Sequence, residues 1–234
     1  MQNQTLWNIE KFDEVTSTND VAIQKSVNNS DSCVIVAKTQ TSGRGRRGNK
    51  WISQTANLFF SQVFTSKIAV SYLAFVTSLS ISETIKNFFP SADVAIKWPN
   101  DVLIDEKKVS GILIEVTENE AVVIGIGVNV VNNPDQDQTS YSTTNLLTMG
   151  AINNDKFLKQ YLINFDKNYA ICQNSFAQIR EKWLKYAARL NQKIKIKYNN
   201  KYDEGIFKGI DEDGLLLLEQ GNKQIKISVA EVFF

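Results

Sequence analysis

The sequence contains no histidine among its 234 residues. This absence removes the most common general base, the Ser-His-Asp triad and most catalytic zinc sites. Any chemistry must therefore use lysine, arginine, carboxylate, amide or backbone groups. Cysteine is also scarce, because Cys33 and Cys172 are the only two and have no metal-binding or redox spacing. We predict that both are reduced thiols in a cytoplasmic protein.

The chain also lacks long apolar runs and any excess of charge. Residues 68–81 lean apolar, but Ser and Thr residues interrupt them and the run is too short to span a bilayer. Residues 1–15 lack the basic region and apolar core of a signal peptide. Lys and Arg number 26 against 25 Asp and Glu, so the net charge of +1 attracts neither nucleic acid nor an anionic membrane. We therefore expect no DNA or membrane partner.

Hydrophobic spacing predicts an α+β fold. Strands are expected at 33–38, 57–64, 94–98, 108–116 and 121–130, and helices at 20–27, 68–89, 155–170 and 174–188. A short turn joins the last two strands, so the main sheet should be mixed or antiparallel with helices packed on it. Short strands beyond Asn191 predict a small C-terminal β-barrel that leans on the larger part. We expect a catalytic domain at 1–188 and the barrel at 189–234.

Residues 39–50 form a polar loop in which glycines alternate with arginines. The run Gly43-Arg44-Gly45-Arg46-Arg47-Gly48, with Lys50 and Trp51 after it, gathers four cations beside three glycines. Glycine lets the backbone approach a ligand, and the arginine fork binds two phosphate oxygens at once. The loop favours phosphate binding, although a solvated basic loop or an RNA contact explains it equally well by itself. It is not a Walker A loop, because the Gly-Lys-Ser/Thr ending is missing.

Two lysines lie near strand ends. The motif 97–101, Lys-Trp-Pro-Asn-Asp, combines a cation, an aromatic ring, an amide and a carboxylate, which predicts the rim of a pocket more than a plain turn. In the strand after it, alternation places Lys108 on one face with Ser110, Ile112 and Ile114. Lys108 is therefore expected to point along a pocket with an apolar floor. The simpler alternative is the charged tip of a hairpin.

The strand 124–130 contains two glycines, Gly125 and Gly127, followed by Asn129. Glycine weakens a strand unless a ligand or another backbone must come close. Asn129 would then be a polar group within reach of a nucleotide. A bulge in a buried strand is the simpler interpretation of this segment alone.

In their order along the chain, these motifs resemble the signature blocks of biotin protein ligases. The blocks are Ser17-Thr18-Asn19, then Gln40 with 43–48 and Trp51, then 97–101, then Lys108 with 111–115, and then 125–129. The match covers residues 12–130, and the C-terminal barrel fits the layout of that family. Only 16 residues precede Ser17, so we expect the short form without an N-terminal DNA-binding domain.

The resemblance implies a class II synthetase-like catalytic domain and a two-step reaction. Biotin would be activated with ATP and Mg²⁺ as biotinyl-5′-adenylate, and the biotinyl group would pass to a lysine of a biotin carboxyl carrier protein or domain. No direct protein cage for the metal is expected, because Mg²⁺ would arrive with ATP. Edge strands of the main sheet allow a homodimer without requiring one.

The resemblance also assigns roles to individual residues. Biotin would be held by Ser17, Thr18, Asn19, Gln40, Gly43, Arg44, Gly45, Arg46, Lys108, Gly111 and Gly127. The nucleotide would be held by Arg46, Arg47, Trp51, Lys97, Asn100, Lys108 and Asn129. Lys108, Arg46, Lys97 and Asp101 would be catalytic, the three cations in adenylate formation and Asp101 in receiving or orienting the acceptor amine. Two residues depart from the family pattern: Asn49 lowers the loop charge by one and is expected to weaken adenylate retention, whereas Ser110 should be nearly neutral.

Two other functions fit parts of the sequence. A lipoate ligase or octanoyltransferase would use the same scaffold, but those families usually carry a histidine after their arginine-glycine block. A non-catalytic RNA-binding or biotin-binding module would use the basic loop as a contact surface. The near-neutral total charge and the 97–101 motif argue against such a module.

Overall fold

The computed structural model describes residues 7–28, 32–198 and 201–234, and its strands form two sheets. The larger sheet contains β1 (Asn8–Val15), β2 (Cys33–Gln40), β3 (Leu58–Phe64), β4 (Val94–Lys97), β5 (Asp101–Ile104), β6 (Lys107–Val116) and β7 (Val122–Val128). The α-helices of the described residues are α1 (Thr18–Asn28), α2 (Val70–Phe88), α3 (Asn154–Asn174) and α4 (Phe176–Leu184). The smaller sheet contains β8 (Lys193–Tyr198), β9 (Lys201–Ile210), β10 (Leu216–Gln220), β11 (Lys223–Ile227) and β12 (Glu231–Phe233). The predicted α+β class is confirmed.

The larger sheet is mixed, with the strand order β1-β2-β3-β7-β6-β5-β4. β1 runs parallel to β2, and the other neighbouring strands are antiparallel. The hydrophobic pattern does not predict β1 or β5. No residue of β1 is buried, so apolar alternation does not mark this edge strand. β5 is only four residues long and begins within the motif interpreted as the end of a strand.

Helices cover both faces of the larger sheet. Because side chains alternate along a strand, Phe60 and Ile124 share one apolar cluster with α2 and α3, whereas Val63 and Val123 pack with Ala22 of α1 on the opposite face. The cavity described below lies on the face that α1 covers in part. No helix in the described parts of the chain is long and apolar enough to cross a membrane.

The last helix is shorter than the predicted 174–188. It ends at Leu184, and the next residues pair with the edge strand β4. Ile96 donates its backbone N–H to the Tyr186 carbonyl at 2.6 Å and accepts one from Ala188 at 2.9 Å. An edge strand exposes unpaired backbone groups, and here those groups bind the chain that would otherwise continue the helix.

The smaller sheet packs on the larger part, as predicted. Its strand order is β11-β10-β9-β8-β12, all antiparallel, and the sheet is open between its two edge strands within the described residues. Phe207 and Leu218 belong to the same apolar cluster as Phe75 of α2. The Trp98 indole N–H also donates to the Gly214 carbonyl at 3.2 Å. A single continuous core therefore joins the two sheets.

Candidate active site

A cavity of about 480 Å³ opens on the α1 side of the larger sheet. Its floor is formed by β6 and β7, where Gly111 lies directly opposite Gly127 and Gly125 lies one alternation further along β7. Three neighbouring positions on this face therefore carry no side chain, which leaves a trough in the sheet. The cost of glycine within these strands is explained by the space that the trough provides.

The indole ring of Trp51 lies against the opposed glycines. A Cβ atom on Gly127 would come within 2.3 Å of Trp51 Cε2, and one on Gly111 within 2.8 Å of Cζ3. No larger residue fits at either position without moving the ring. The Trp51 Nε1 atom is buried and has no hydrogen-bond partner, so this donor is available to a ligand. The resemblance assigned the glycines to biotin and Trp51 to the nucleotide, and the structure places them in direct contact.

One end of the cavity is polar but carries little charge. Thr18 and Asn19 at the start of α1 are both buried. The Ser61 hydroxyl of β3 donates to Asn19 Oδ1 at 2.6 Å and lies 2.7 Å from the Thr18 hydroxyl. Gln40 accepts from the Thr18 backbone N–H at 2.8 Å and donates to Ser53 at 3.0 Å. These hydrogen bonds offset the cost of burying the amides and hydroxyls, so the cluster is held in one arrangement.

The position of Asn19 depends on Gly125. A Cβ atom on Gly125 would lie 2.1 Å from Asn19 Oδ1, so only glycine leaves room for the amide. Asn19 Nδ2 donates to Glu115 of β6 at 2.6 Å. The predicted residue Ser17 is also buried and lines the cavity beside this cluster.

The arginine-glycine loop lies over the cavity and is tied down by side chains. Arg44 binds both carboxylate oxygens of Glu115 at 2.8 and 2.9 Å and contacts Asp20 at 2.8 Å. Arg46 donates to Asn100 Oδ1 at 2.9 Å. Burial is the main cause that lowers the pKa of Arg46 from its usual value, and the neighbouring Arg47 adds to this effect.

The base of the loop is closed by backbone pairing. Gly45 N–H donates to the Asn49 carbonyl at 2.7 Å, and Trp51 N–H donates to the Gly43 carbonyl at 2.9 Å. Arg47 has a φ of 56° and Gly48 a φ of 78°, which makes the tight turn between them. Of the predicted site residues, Gly43 is the one that does not line the cavity; its Cβ position faces the Trp51 carbonyl at 2.6 Å.

The other end of the cavity is cationic and contains Lys97 and Lys108. Lys108 Nζ lies 2.7 Å from Asp101, 5.5 Å from the centre of the Trp51 ring and 4.8 Å from that of Tyr141. Burial acts to lower the pKa of Lys108, but Asp101 and Tyr141 outweigh it and raise that pKa above its usual value. For Lys97, burial is the largest cause and the nearby Lys108 acts with it, so the pKa is lowered. Lysine ammonium groups at such a site bind carboxylate and phosphate oxygens.

The predicted face of Lys108 was wrong. The register between β5 and β6 shifts at Val102 and Leu103, so an extra β6 residue interrupts the alternation after Lys108. Lys108 consequently shares its side of the sheet with Gly111, whose Cβ position is 3.3 Å from Lys108 Nζ. The side chain of Ser110 instead donates to the Gly127 carbonyl at 2.8 Å.

Two predicted amides complete the nucleotide side of the cavity. Asn100 is fixed by donating to the Ile112 carbonyl at 2.5 Å while it accepts from Arg46. Asn129 donates to the Thr144 carbonyl at 3.0 Å, and its Oδ1 atom is buried without a partner. This oxygen is an acceptor that a ligand N–H group can satisfy.

Several lining residues are not predicted by the sequence. The segment 134–143 contributes Tyr141 above Lys108, and the smaller sheet contributes the stretch 230–233 to the cavity wall. The segment 134–143 follows soon after the last motif, 125–129, and the stretch 230–233 lies about 100 residues further on. Neither has a periodicity or charge pattern that indicates a site. The basic residue Arg47 reaches toward Glu231 of β12 at 3.8 Å, so the loop and the smaller sheet face each other.

Comparison with known proteins identifies the class to which this fold and site belong. Residues 11–129 match the model of the biotin/lipoate A/B protein ligase family, and residues 190–234 match that of the biotin protein ligase C terminal domain. The first match covers just over half of the chain. The chain therefore belongs to the biotin/lipoate A/B protein ligase family.

Individual relatives extend this similarity over nearly the whole chain. The biotin–[acetyl-CoA-carboxylase] ligase of Paracoccus denitrificans is 34% identical over 93% of this chain and 97% of its own length. The bifunctional ligase/repressor BirA of Bacillus subtilis is 31% identical over 94% of this chain and 72% of its own length. The structure of the Aquifex aeolicus biotin protein ligase in complex with biotin and ATP has a TM-score of 0.88 and 28% identity, and covers 97% of this chain and 98% of that one.

Proposed function

We propose that this chain is a biotin protein ligase. It activates biotin with ATP as biotinyl-5′-adenylate, releases pyrophosphate and transfers the biotinyl group to a lysine of a biotin carboxyl carrier protein or domain. The family match, the similarity to the Paracoccus ligase and the likeness to the Aquifex ligase with biotin and ATP support this function. The match of residues 190–234 to the biotin ligase C-terminal model favours biotin over lipoate or octanoate as the substrate.

The observation that carries the proposal is the division of one cavity into a polar end and a cationic end. At the polar end, Thr18, Asn19 and Gln40 are hydrogen-bonded amide and hydroxyl groups, which suit an uncharged ring with both donors and acceptors. At the cationic end, Lys97 and Lys108 suit a carboxylate and a phosphate. The ureido ring of biotin and its carboxylate tail match this order. A module that only binds RNA has no use for the buried polar end.

In the first half-reaction, a biotin carboxylate oxygen attacks the α-phosphorus of ATP. The new phosphorus–oxygen bond forms the mixed anhydride, and the bond to the bridging oxygen breaks so that pyrophosphate leaves with its electron pair. Both reactants are anions, and Arg46, Lys97 and Lys108 reduce their repulsion and stabilise the charge on the phosphate oxygens. The residues act by position and charge, without a covalent enzyme intermediate.

In the second half-reaction, the amine of the acceptor lysine attacks the anhydride carbonyl, loses a proton and displaces AMP. Asp101 is the carboxylate that we propose to orient this amine or to receive its proton. Because Asp101 forms an ion pair with Lys108 at 2.7 Å, it is available only when the adenylate phosphate competes for Lys108. Binding of the adenylate phosphate to Lys108 would then free the Asp101 carboxylate for the transfer step.

Magnesium is proposed to enter with ATP. Among residues 7–28, 32–198 and 201–234, the one group of three or more potential metal ligands is Asp211, Glu212 and Asp213, and these residues do not line the cavity. Asp101 is occupied by Lys108. The side chains present therefore suit a Mg²⁺ ion that is coordinated by the triphosphate and by water, as is usual for this ion, and not one coordinated mainly by protein side chains.

The remaining assignments are also proposals. We propose units at 1–188 and 189–234, the site roles given by the resemblance, a cytoplasmic location and the carrier domain as acceptor. A homodimer is compatible with the exposed edge strand β1 but is not required for the site, because the cavity lining described above comes from one chain.

The test is to incubate the purified chain with biotin, ATP and Mg²⁺ and to measure pyrophosphate. Lipoate and octanoate replace biotin in parallel reactions, and a carrier domain is then added and examined by mass spectrometry for the gain of one biotinyl group. Pyrophosphate release is expected with biotin and not with lipoate or octanoate. Release only with lipoate or octanoate would identify the other ligase activity, and biotin binding without any pyrophosphate would identify a non-catalytic module.

A further inference from the structure

The ammonium group of Lys108 is enclosed by one carboxylate and two aromatic rings. Asp101 lies at 2.7 Å, and the ring centres of Trp51 and Tyr141 lie at 5.5 and 4.8 Å from Nζ. A ring face within about 6 Å attracts a cation through its quadrupole, and the attraction is stronger where water is excluded. The Lys108 side chain is only 13% exposed, so both ring contacts operate in a partly dry site.

The position of Tyr141 is fixed by the backbone of Lys108 itself. Lys108 N–H donates to the Ser142 carbonyl at 2.9 Å, and the Lys108 carbonyl accepts from Thr144 N–H at 2.9 Å. The segment 141–144 therefore runs beside Lys108 as a short parallel bridge. Tyr141 directly precedes Ser142. The two hydrogen bonds that hold the segment therefore also place the Tyr141 ring beside Lys108.

The two rings differ in what they can do for the lysine. Trp51 lies against the glycine pair and directly follows the loop of arginines and glycines, whereas Tyr141 is tied to the strand that carries Lys108. Asp101 alone would draw the ammonium toward β5. The Tyr141 ring adds a second attraction on another side of the ammonium, which limits the rotamers of a flexible side chain already paired with Asp101.

We infer that Tyr141 is a positioning residue that holds the Lys108 ammonium in its active place during adenylate formation. This inference rests on the proposed function and adds a residue outside the recognised motifs. Tyr141 acts through its ring face on Lys108 and does not itself touch the reacting atoms. The ring is therefore the required feature, and the phenol oxygen, which also attracts the ammonium, adds to its effect.

The experiment compares Tyr141→Leu and Tyr141→Phe in the pyrophosphate assay with biotin, ATP and Mg²⁺. Tyr141→Leu is expected to lower kcat about 10-fold, the effect of losing one partly desolvated cation–π contact, with KM for biotin and for ATP changed less than about 2-fold. Tyr141→Phe keeps the ring but loses the phenol oxygen, so its kcat should fall clearly less than that of Tyr141→Leu and stay within about 3-fold of the parent. Because Tyr141 is 38% exposed, both variants are expected to fold.

The matched control is Tyr202→Leu. Tyr202 makes the same kind of contact, with Lys195 at 4.5 Å from its ring centre, but does not line the cavity. Loss of the contact between Tyr202 and Lys195 should leave kcat unchanged. If Tyr141→Leu retains the parent kcat, if Tyr141→Phe loses as much as Tyr141→Leu, or if the loss appears mainly in KM for ATP, the inference is wrong. A parent enzyme that releases no pyrophosphate would instead refute the proposed function.

Discussion

The opposed glycines of β6 and β7 allow a sharp test, the substitution Gly127→Ala. The added Cβ would lie 2.3 Å from Trp51 Cε2 and 2.5 Å from Nε1, whereas carbon atoms pack at about 3.5 to 4.0 Å. The indole ring must therefore move by more than about 1 Å. Trp51 belongs to a loop and can move, so we expect a loss of about 1 to 3 kcal/mol in the free energy of unfolding and not a failure to fold.

The loss of activity should be larger than the loss of stability suggests. A displacement of about 1 Å in a group that positions substrate can reduce a rate about 100-fold. We therefore expect kcat/KM for pyrophosphate release to fall by roughly this factor in Gly127→Ala. Urea unfolding followed by fluorescence gives the stability, and the pyrophosphate assay gives the rate.

Gly221→Ala is the control for Gly127→Ala. Gly221 has a φ of 59°, and its Cβ would meet nothing within 4 Å, so the substitution strains the backbone by roughly 1 to 2 kcal/mol without touching the cavity. Both variants should lose similar stability, and only Gly127→Ala should lose activity. The reasoning about Trp51 fails if the two variants have kcat/KM values within about 3-fold of each other.

Three further substitutions test the cations separately. Arg46→Gly should keep the melting temperature but release adenylate into solution, because the hydrogen bond to Asn100 at 2.9 Å is lost. Adenylate that stays bound would contradict a role of Arg46 in retaining it. Lys108→Ala should abolish pyrophosphate release while calorimetry still detects biotin, and near-normal turnover would exclude Lys108 from the first step. Burial lowers the pKa of Lys97, so this cation is lost at a lower pH than an ordinary lysine as pH rises. Lys97→Arg, which stays charged, should move the alkaline limit of kcat/KM to higher pH, and an unmoved limit would assign it to another group.

Much of the fold could be predicted because most of the larger sheet is buried and therefore marked by apolar residues. β3 and β7 are buried at every residue, and both were expected as strands because they consist mainly of apolar residues, with Ser61 and Gln62 as an interruption in β3. β1 escaped prediction because an exposed edge strand is held by pairing with β2 and not by an apolar face. The end of α4 was overestimated because pairing with β4, which is not visible locally, stops the helix.

In the candidate site too, features set by neighbouring residues could be predicted, and features created by the tertiary fold could not. Gly125 and Gly127 were singled out because glycine in a strand needs a reason, and Gly111 was named through the family resemblance. The structure provides the reason for all three, the trough and its contacts with Trp51 and Asn19. The bulge in β6 reversed the predicted face of Lys108, since alternation cannot reveal where one extra residue is inserted. Tyr141 has no local signal, because only the tertiary fold brings it to Lys108.

The wall supplied by β12 makes the smaller sheet part of the reaction chamber. The glycine strands β6 and β7 form the floor, and Val232 and Phe233 of the smaller sheet line the same cavity. A movement of the smaller sheet away from the larger one would therefore admit water, and a mixed anhydride inside would be hydrolysed before transfer. The packing between the two sheets thus protects the intermediate as well as stabilising the fold.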